Sequence, residues 1–147
     1  MRKTMTGAVL AAALALPAAA EEPITYTVED SFDNVAFAIE SAIVGRGLVI
    51  DYVSHVGEML ERTRADVGSD TVLFTQADVF LFCSATTSRE VMEADPMNVQ
   101  HCPYGIFIAE MPDTEGRITV GYRDYPEGAM QPVEDLLGSI VAEALGL

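Results

Sequence analysis

The chain has 147 residues, 23 of them acidic against eight basic, and only two cysteines. That length suits one domain with a real core. The net charge of −15 repels phosphate backbones and anionic lipid, so neither nucleic acid nor a membrane surface is an expected partner.

The first twenty residues read as an export leader. Arg2 and Lys3 form a positive start, Gly7 to Leu16 is apolar, Pro17 breaks the run, and Ala18-Ala19-Ala20 supplies the small side chains of a cleavage site. A bilayer span needs roughly 20 apolar residues, so stable membrane insertion is not expected. Cleavage after Ala20 leaves residues 21–147 as a single domain with six arginines, no lysine and a net charge of −17. The pattern is bacterial and the expected compartment is the periplasm. The acidity reads chiefly as solubility, with a basic periplasmic protein partner as the functional alternative.

Ile24 to Val28 alternates apolar and polar and predicts a half-buried strand. Ser31 is a helix N-cap, and Phe32, Val35, Ile39, Ala42 and Ile43 fall on one helical face, stopped by Gly45 and Gly47 around Arg46. Leu48 to Val53 is rich in β-branched residues and predicts a second strand. A helix is expected from about Val56 to Asp66, with Met59 and Leu60 inward. Val72 to Gln76 reads as a connector. Val79 to Cys83 is a continuous apolar run, as in a central strand. Ser88 is expected to cap a short helix that Asp95-Pro96 ends. Tyr104 to Glu110 and Arg117 to Tyr125 predict two strands joined by a turn, and Pro132 opens a last helix through Val133, Leu136, Leu137, Ile140, Val141 and Leu145. The fold class is α+β: one mixed, largely antiparallel sheet with helices packed on it, in the order β-α-β-α-β-(α)-β-β-α.

In an exported chain Cys83 and Cys102 are expected to join, closing a loop of about 20 residues worth roughly 3 kcal/mol in the loop-entropy estimate. A redox-active pair is a lesser alternative, since Cys-x-x-Cys spacing is lacking. A metal or haem site is another: His55 and Met59 are four apart on the expected helix, and His101 adjoins Cys102, a soft donor set suited to copper or haem iron. Neither a haem-attachment motif nor zinc spacing is present. Ser84, Thr87 and Ser88 lie close together, but nothing selects His55 or His101 as their base. Arg89 reads as an ion-pair partner of Glu93. Glycine-rich phosphate and dinucleotide motifs are missing.

The succession of Leu48–Val53, His55-Val-Gly-Glu-Met59-Leu60, Phe82-Cys-Ser-Ala, Pro96, Cys102-Pro103-Tyr104 and Gly121-Tyr122-Arg123 resembles the bacterial family called domain of unknown function 302. The likeness covers nearly all of the chain after the leader. Commoner members carry a Phe-Gly-Asn-Pro-like block at 82–85 and Leu-Pro at 102–103, so this chain resembles an exported branch with cysteine at both places. The resemblance implies a compact α+β domain that tends to dimerise, and no agreed activity. Arg123-Asp124 stands where that branch often has two arginines, which speaks against an anion-binding role for this strand.

The function expected from these readings is an exported, non-enzymatic accessory domain that binds a small ligand or a partner. It would be homodimeric and stapled by Cys83–Cys102, with a pocket beside the 82–88 turn formed by Phe82, Ser84, Ser88, Arg89 and Tyr104. The alternatives are a periplasmic haem or copper protein using His55 and Met59, or His101 and Cys102, and lastly a thiol–disulfide enzyme.

Overall fold

The computed structural model describes residues 22–147; the expected leader lies outside the described residues. Its elements are β1 (Ile24–Glu29), α1 (Phe32–Gly45), β2 (Val49–Ser54), α2 (Val56–Thr63), β3 (Gln76–Cys83), α3 (Ala85–Ala94), a 3-10 helix (Pro96–His101), β4 (Tyr104–Glu110), β5 (Arg117–Tyr122) and α4 (Gln131–Leu145). The strands form one sheet in the order β1-β5-β4-β3-β2. Every pairing is antiparallel. The fold is α+β in the expected element order.

Alternation along the strands sorts side chains between two faces. Register places Ile24, Tyr26 and Val28 opposite Tyr122, Val120 and Ile118, and Phe80 and Phe82 opposite Ile106 and Tyr104. This face meets Val35, Ile39 and Ile43 of α1, Val91 of α3, and Val133, Leu137, Ile140 and Val141 of α4 in one core. Most of these residues are fully buried. Val79, Leu81, Gly105, Phe107 and Gly121 project to the opposite face.

Local chemistry explains the element boundaries. Ser31 caps α1 by accepting from the Asn34 N–H at 3.3 Å. Arg46, just past α1, ties it to α4 by donating to Glu143 Oε2 at 2.7 Å and to the Ser139 carbonyl at 2.9 Å.

Two helices differ from expectation. α2 stops at Thr63 rather than near Asp66, and its Met59 is exposed while Leu60 is half-buried. The buried residue of α2 is Gly57, where a Cβ would come within 2.6 Å of the Ala77 backbone nitrogen. The helix therefore docks by close backbone approach, not by large inward side chains.

The cap of α3 is Ser84, four residues earlier than expected. Ser84 leaves β3 with extended backbone, φ −109 and ψ 117, and accepts from the Thr87 N–H at 3.2 Å. Ser88 already lies in the first turn, its N–H donating to the Ser84 carbonyl at 2.8 Å. The 3-10 helix had no counterpart in the expected elements. Pro96 opens it, and Asp95 caps it by accepting from the Met97 N–H at 2.9 Å.

Candidate functional site

The end of β3 and the exit of the 3-10 helix bring the two cysteines together. Cys83 and Cys102 are disulfide-bonded, with their Cα atoms 6.6 Å apart and their positions 19 apart in sequence. Cys83 shares the strand parity of Val79 and Leu81, so the bond lies toward the face turned away from the long helices. It pins residues 101–103 along that end of the sheet.

The turn after Phe82 is a structural joint, and the expected pocket residues diverge around it. Phe82 and Tyr104 are fully buried in the core, because a β3 residue at even parity faces the helices. Ser84 is buried and committed to its cap. Ser88 Oγ and the Tyr104 hydroxyl share a hydrogen bond at 3.0 Å. Arg89 stands 79% exposed and pairs with Glu93 at 3.0 Å, as its spacing suggested. These five residues therefore do not line one cavity.

The expected metal ligands also separate. His55 precedes the first turn of α2 as its N-cap, so it does not share a helical face with Met59. His55 lines a cavity of about 680 Å³ with Phe32, Glu58, Arg62, Phe74 and Asp78. Met59 lines a different hollow with Val67 and Leu73. The His55 Nδ1 donates to Asp78 Oδ1 at 2.8 Å, and Nε2 has no hydrogen-bond partner among the described residues. Cys102 has its sulfur in the disulfide and is not available as a thiolate beside His101. No cluster of three or more His, Cys, Asp or Glu suited to a metal ion occurs among the described residues.

A second site joins His101, Cys102 and Arg123 to apolar sheet residues that the sequence did not single out. A trough of about 560 Å³ on the open sheet face is lined by Val79, Leu81, Gly105, Phe107, Arg123 and Tyr125. Pro23, Gln100, His101, Cys102 and Pro103 complete its rim. Glycine shapes the floor. A Cβ at Gly121 would meet the Phe107 ring at 2.6 Å, so glycine there lets that ring lie down against β5. A Cβ at Gly105 would meet the tips of Leu81 and Val79 at 3.3 and 3.4 Å, with the Phe80 carbonyl oxygen at 4.0 Å.

The end wall of the trough is aromatic. His101 packs edge-on to Tyr125 at 5.6 Å between centroids, and Tyr104 does the same at 6.3 Å. His101 Nδ1 is buried without a hydrogen-bond partner among the described residues. Burial pushes the Tyr125 phenol up to about 12, with the nearby Arg123 charge opposing that rise and Tyr104 adding to it. Burial likewise raises the Tyr122 phenol, helped by its hydrogen bond with Tyr26. Among the described residues no aspartate or glutamate lines the trough, although the chain carries 23 of them. The larger cavity, by contrast, contains Glu58, Glu61 and Asp78.

The sequence profile described as Domain of unknown function DUF302 matches residues 24–145. The chain belongs to the DUF302 family. It is also similar to the crystal structure of an uncharacterized conserved protein DUF302 from Bacillus stearothermophilus. The TM-score is 0.64 at 13% identity, and the match covers 84% of this chain and 95% of that one. At that identity the likeness speaks to the fold alone. No curated protein matches. No helix among the described residues is long and apolar enough to cross a membrane. DUF302 membership thus establishes the family without establishing an activity.

The Tyr125 shift has a measurable consequence. The unfolded chain loses its phenolic protons from about pH 10, while folded Tyr125 keeps its own until about pH 12. The folded state then binds more protons, so stability falls with rising pH across that window and is complete below it. Chemical denaturation between pH 9 and 12 should show this loss, and Tyr125→Phe should flatten the slope without changing it below pH 10. An identical slope in the variant would contradict the assignment.

Proposed function

We propose that this DUF302 domain is an exported, non-enzymatic binding module, with residues 1–20 a cleaved leader and residues 21–147 one domain acting outside the cytoplasm. The observation that carries the reading is the trough on the open sheet face, with its floor of Val79, Leu81, Gly105 and Phe107 beside the Cys83–Cys102 bond. An apolar concavity of this size with a few polar groups at its rim is the usual form of a small-molecule site. The disulfide supports an oxidising compartment such as the periplasm. Two copies of the chain pair through β2, where Val49 and Tyr52 stand 73% and 63% exposed. Exposed apolar side chains on an edge strand suit self-association.

Metal or haem ligation is the second reading, and one observation favours it. Asp78 holds the Nδ1–H of His55, the outer contact that typically orients a histidine toward a metal through its other nitrogen. Thiol–disulfide chemistry finds no comparable support.

An uncharged dye tests the trough. Nile red fluorescence should rise on binding, and Gly105→Leu should weaken that binding about tenfold, because the new side chain fills the floor while Leu81 and Val79 yield at their tips. Equal binding by a variant with native melting behaviour would move the site elsewhere.

Light scattering should give twice the mass of the processed chain, and a Val49→Glu, Tyr52→Glu double variant should give a monomer. Two chains of high negative charge repel, so added salt should strengthen the pairing. A monomeric native protein at all salt concentrations rejects the dimer.

The visible spectrum and copper content of purified protein separate the second reading from the first. A Soret band or stoichiometric copper lost on His55→Ala supports ligation; a colourless, copper-free protein from metal-supplemented cells removes it.

A further inference from the structure

Charge is distributed unevenly among the arginines. Arg46, Arg64, Arg89 and Arg117 each pair with a glutamate. Arg62 has no ion pair with a described residue, but it shares its cavity with Glu58, Glu61 and Asp78. Arg123 also lacks an ion pair with any described residue, and the described residues that line its trough include no carboxylate. Its neighbour Asp124 makes no ion pair with it. In a chain with 23 acids, a guanidinium that makes no ion pair with a described residue at the edge of an apolar trough is available to an incoming anion.

We propose that the trough takes an organic monoanion with an apolar body, its carboxylate or sulfonate held by Arg123 and its hydrocarbon lying over Val79, Leu81, Gly105 and Phe107. This assignment rests on the trough being the binding site. A planar guanidinium offers paired donors that match a carboxylate in two parallel hydrogen bonds, which an ammonium cannot do. Gln100 and His101 at the same rim supply further polar contacts.

The rest of the molecule sets the upper limit on ligand charge. With six arginines and 23 acids after processing, the surface field opposes phosphates and other multiply charged anions, while one contact to Arg123 offsets a single charge. Ordinary ionic strength screens the distant acids over a Debye length of about 8–10 Å, so the local cation dominates at contact. The ligand class is therefore an amphipathic monoanion of the medium-chain carboxylate type.

Competition against bound Nile red tests the charge requirement directly. Octanoate and 1-octanol share a hydrocarbon body and differ in the head group. Octanoate should displace the dye at concentrations at least about tenfold lower than 1-octanol, and Arg123→Gln should abolish that advantage by weakening octanoate alone. Arg123→Lys should recover only part of it, since it restores charge without the planar fork. Arg123 is exposed outside the core, so folding should be unaffected, and melting curves check this. Equal competition by the two compounds, or an advantage that survives Arg123→Gln, overturns the anion assignment while leaving an apolar site in place. Dye binding that is absent, or indifferent to Gly105→Leu, overturns the trough itself and the ligand class with it.

Discussion

Strand alternation gives this sheet two faces, and the core helices meet only one of them. The side chains of Phe80, Phe82, Tyr104, Ile106, Ile108, Ile118 and Val120 are sealed beneath α1, α3 and α4. Their neighbours one position along cannot point the same way, because the backbone repeats every two residues. Val79, Leu81 and Phe107 are consequently left half-buried on the reverse face. An apolar second face in a predominantly acidic protein is the condition from which the trough follows.

The disulfide turns that face into a concavity. Without it, the segment after α3 would be held by its passage into β4, by the Asn98 bond to the Val91 carbonyl and by His101 against Tyr125. The bond between Cys83 and Cys102 holds His101, Cys102 and Pro103 against the sheet end, where they form one wall and Tyr125 forms another. Closing a loop of this length also contributes about 3 kcal/mol in the chain-entropy picture. Its structural place, between two elements whose ends meet, accounts for the pairing without invoking thiol chemistry.

Much of the architecture was legible because local and long-range signals agreed. The 3.6-residue spacing of Phe32, Val35, Ile39, Ala42 and Ile43 identified α1 and its buried face, and Ser31 identified its start. The two cysteines and the DUF302 resemblance likewise pointed to contacts that the fold contains. Other features depended on geometry that spacing does not carry. Ser84 and Ser88 are both acceptable caps by type; only the extended backbone leaving β3 selects Ser84. His55 and Met59 sit four apart, yet the first lies outside the helix that was to align them. The run Val79 to Cys83 pointed to a central strand, and β3 lies between β4 and β2, but spacing did not show that it serves a core on one face and an open trough on the other. Arg123-Asp124 was read against anion binding, because whether a guanidinium is paired is a property of surroundings and not of sequence.

Function in this reading comes from the contrast between two cavities. The larger one, around His55 and Asp78, brings several acids together with His55 and Arg62, and His55 pairs with Asp78 there. The trough pairs an apolar floor with a single unneutralised guanidinium. Volume favours the first and chemistry favours the second. Amide chemical shifts of the oxidised protein during an octanoate titration decide between them most directly. The account predicts movements concentrated at Leu81, Gly105, Phe107 and Arg123, with α2 and Asp78 unchanged. Movements centred on His55, Glu58 and Asp78, or no saturable movement anywhere, would contradict it.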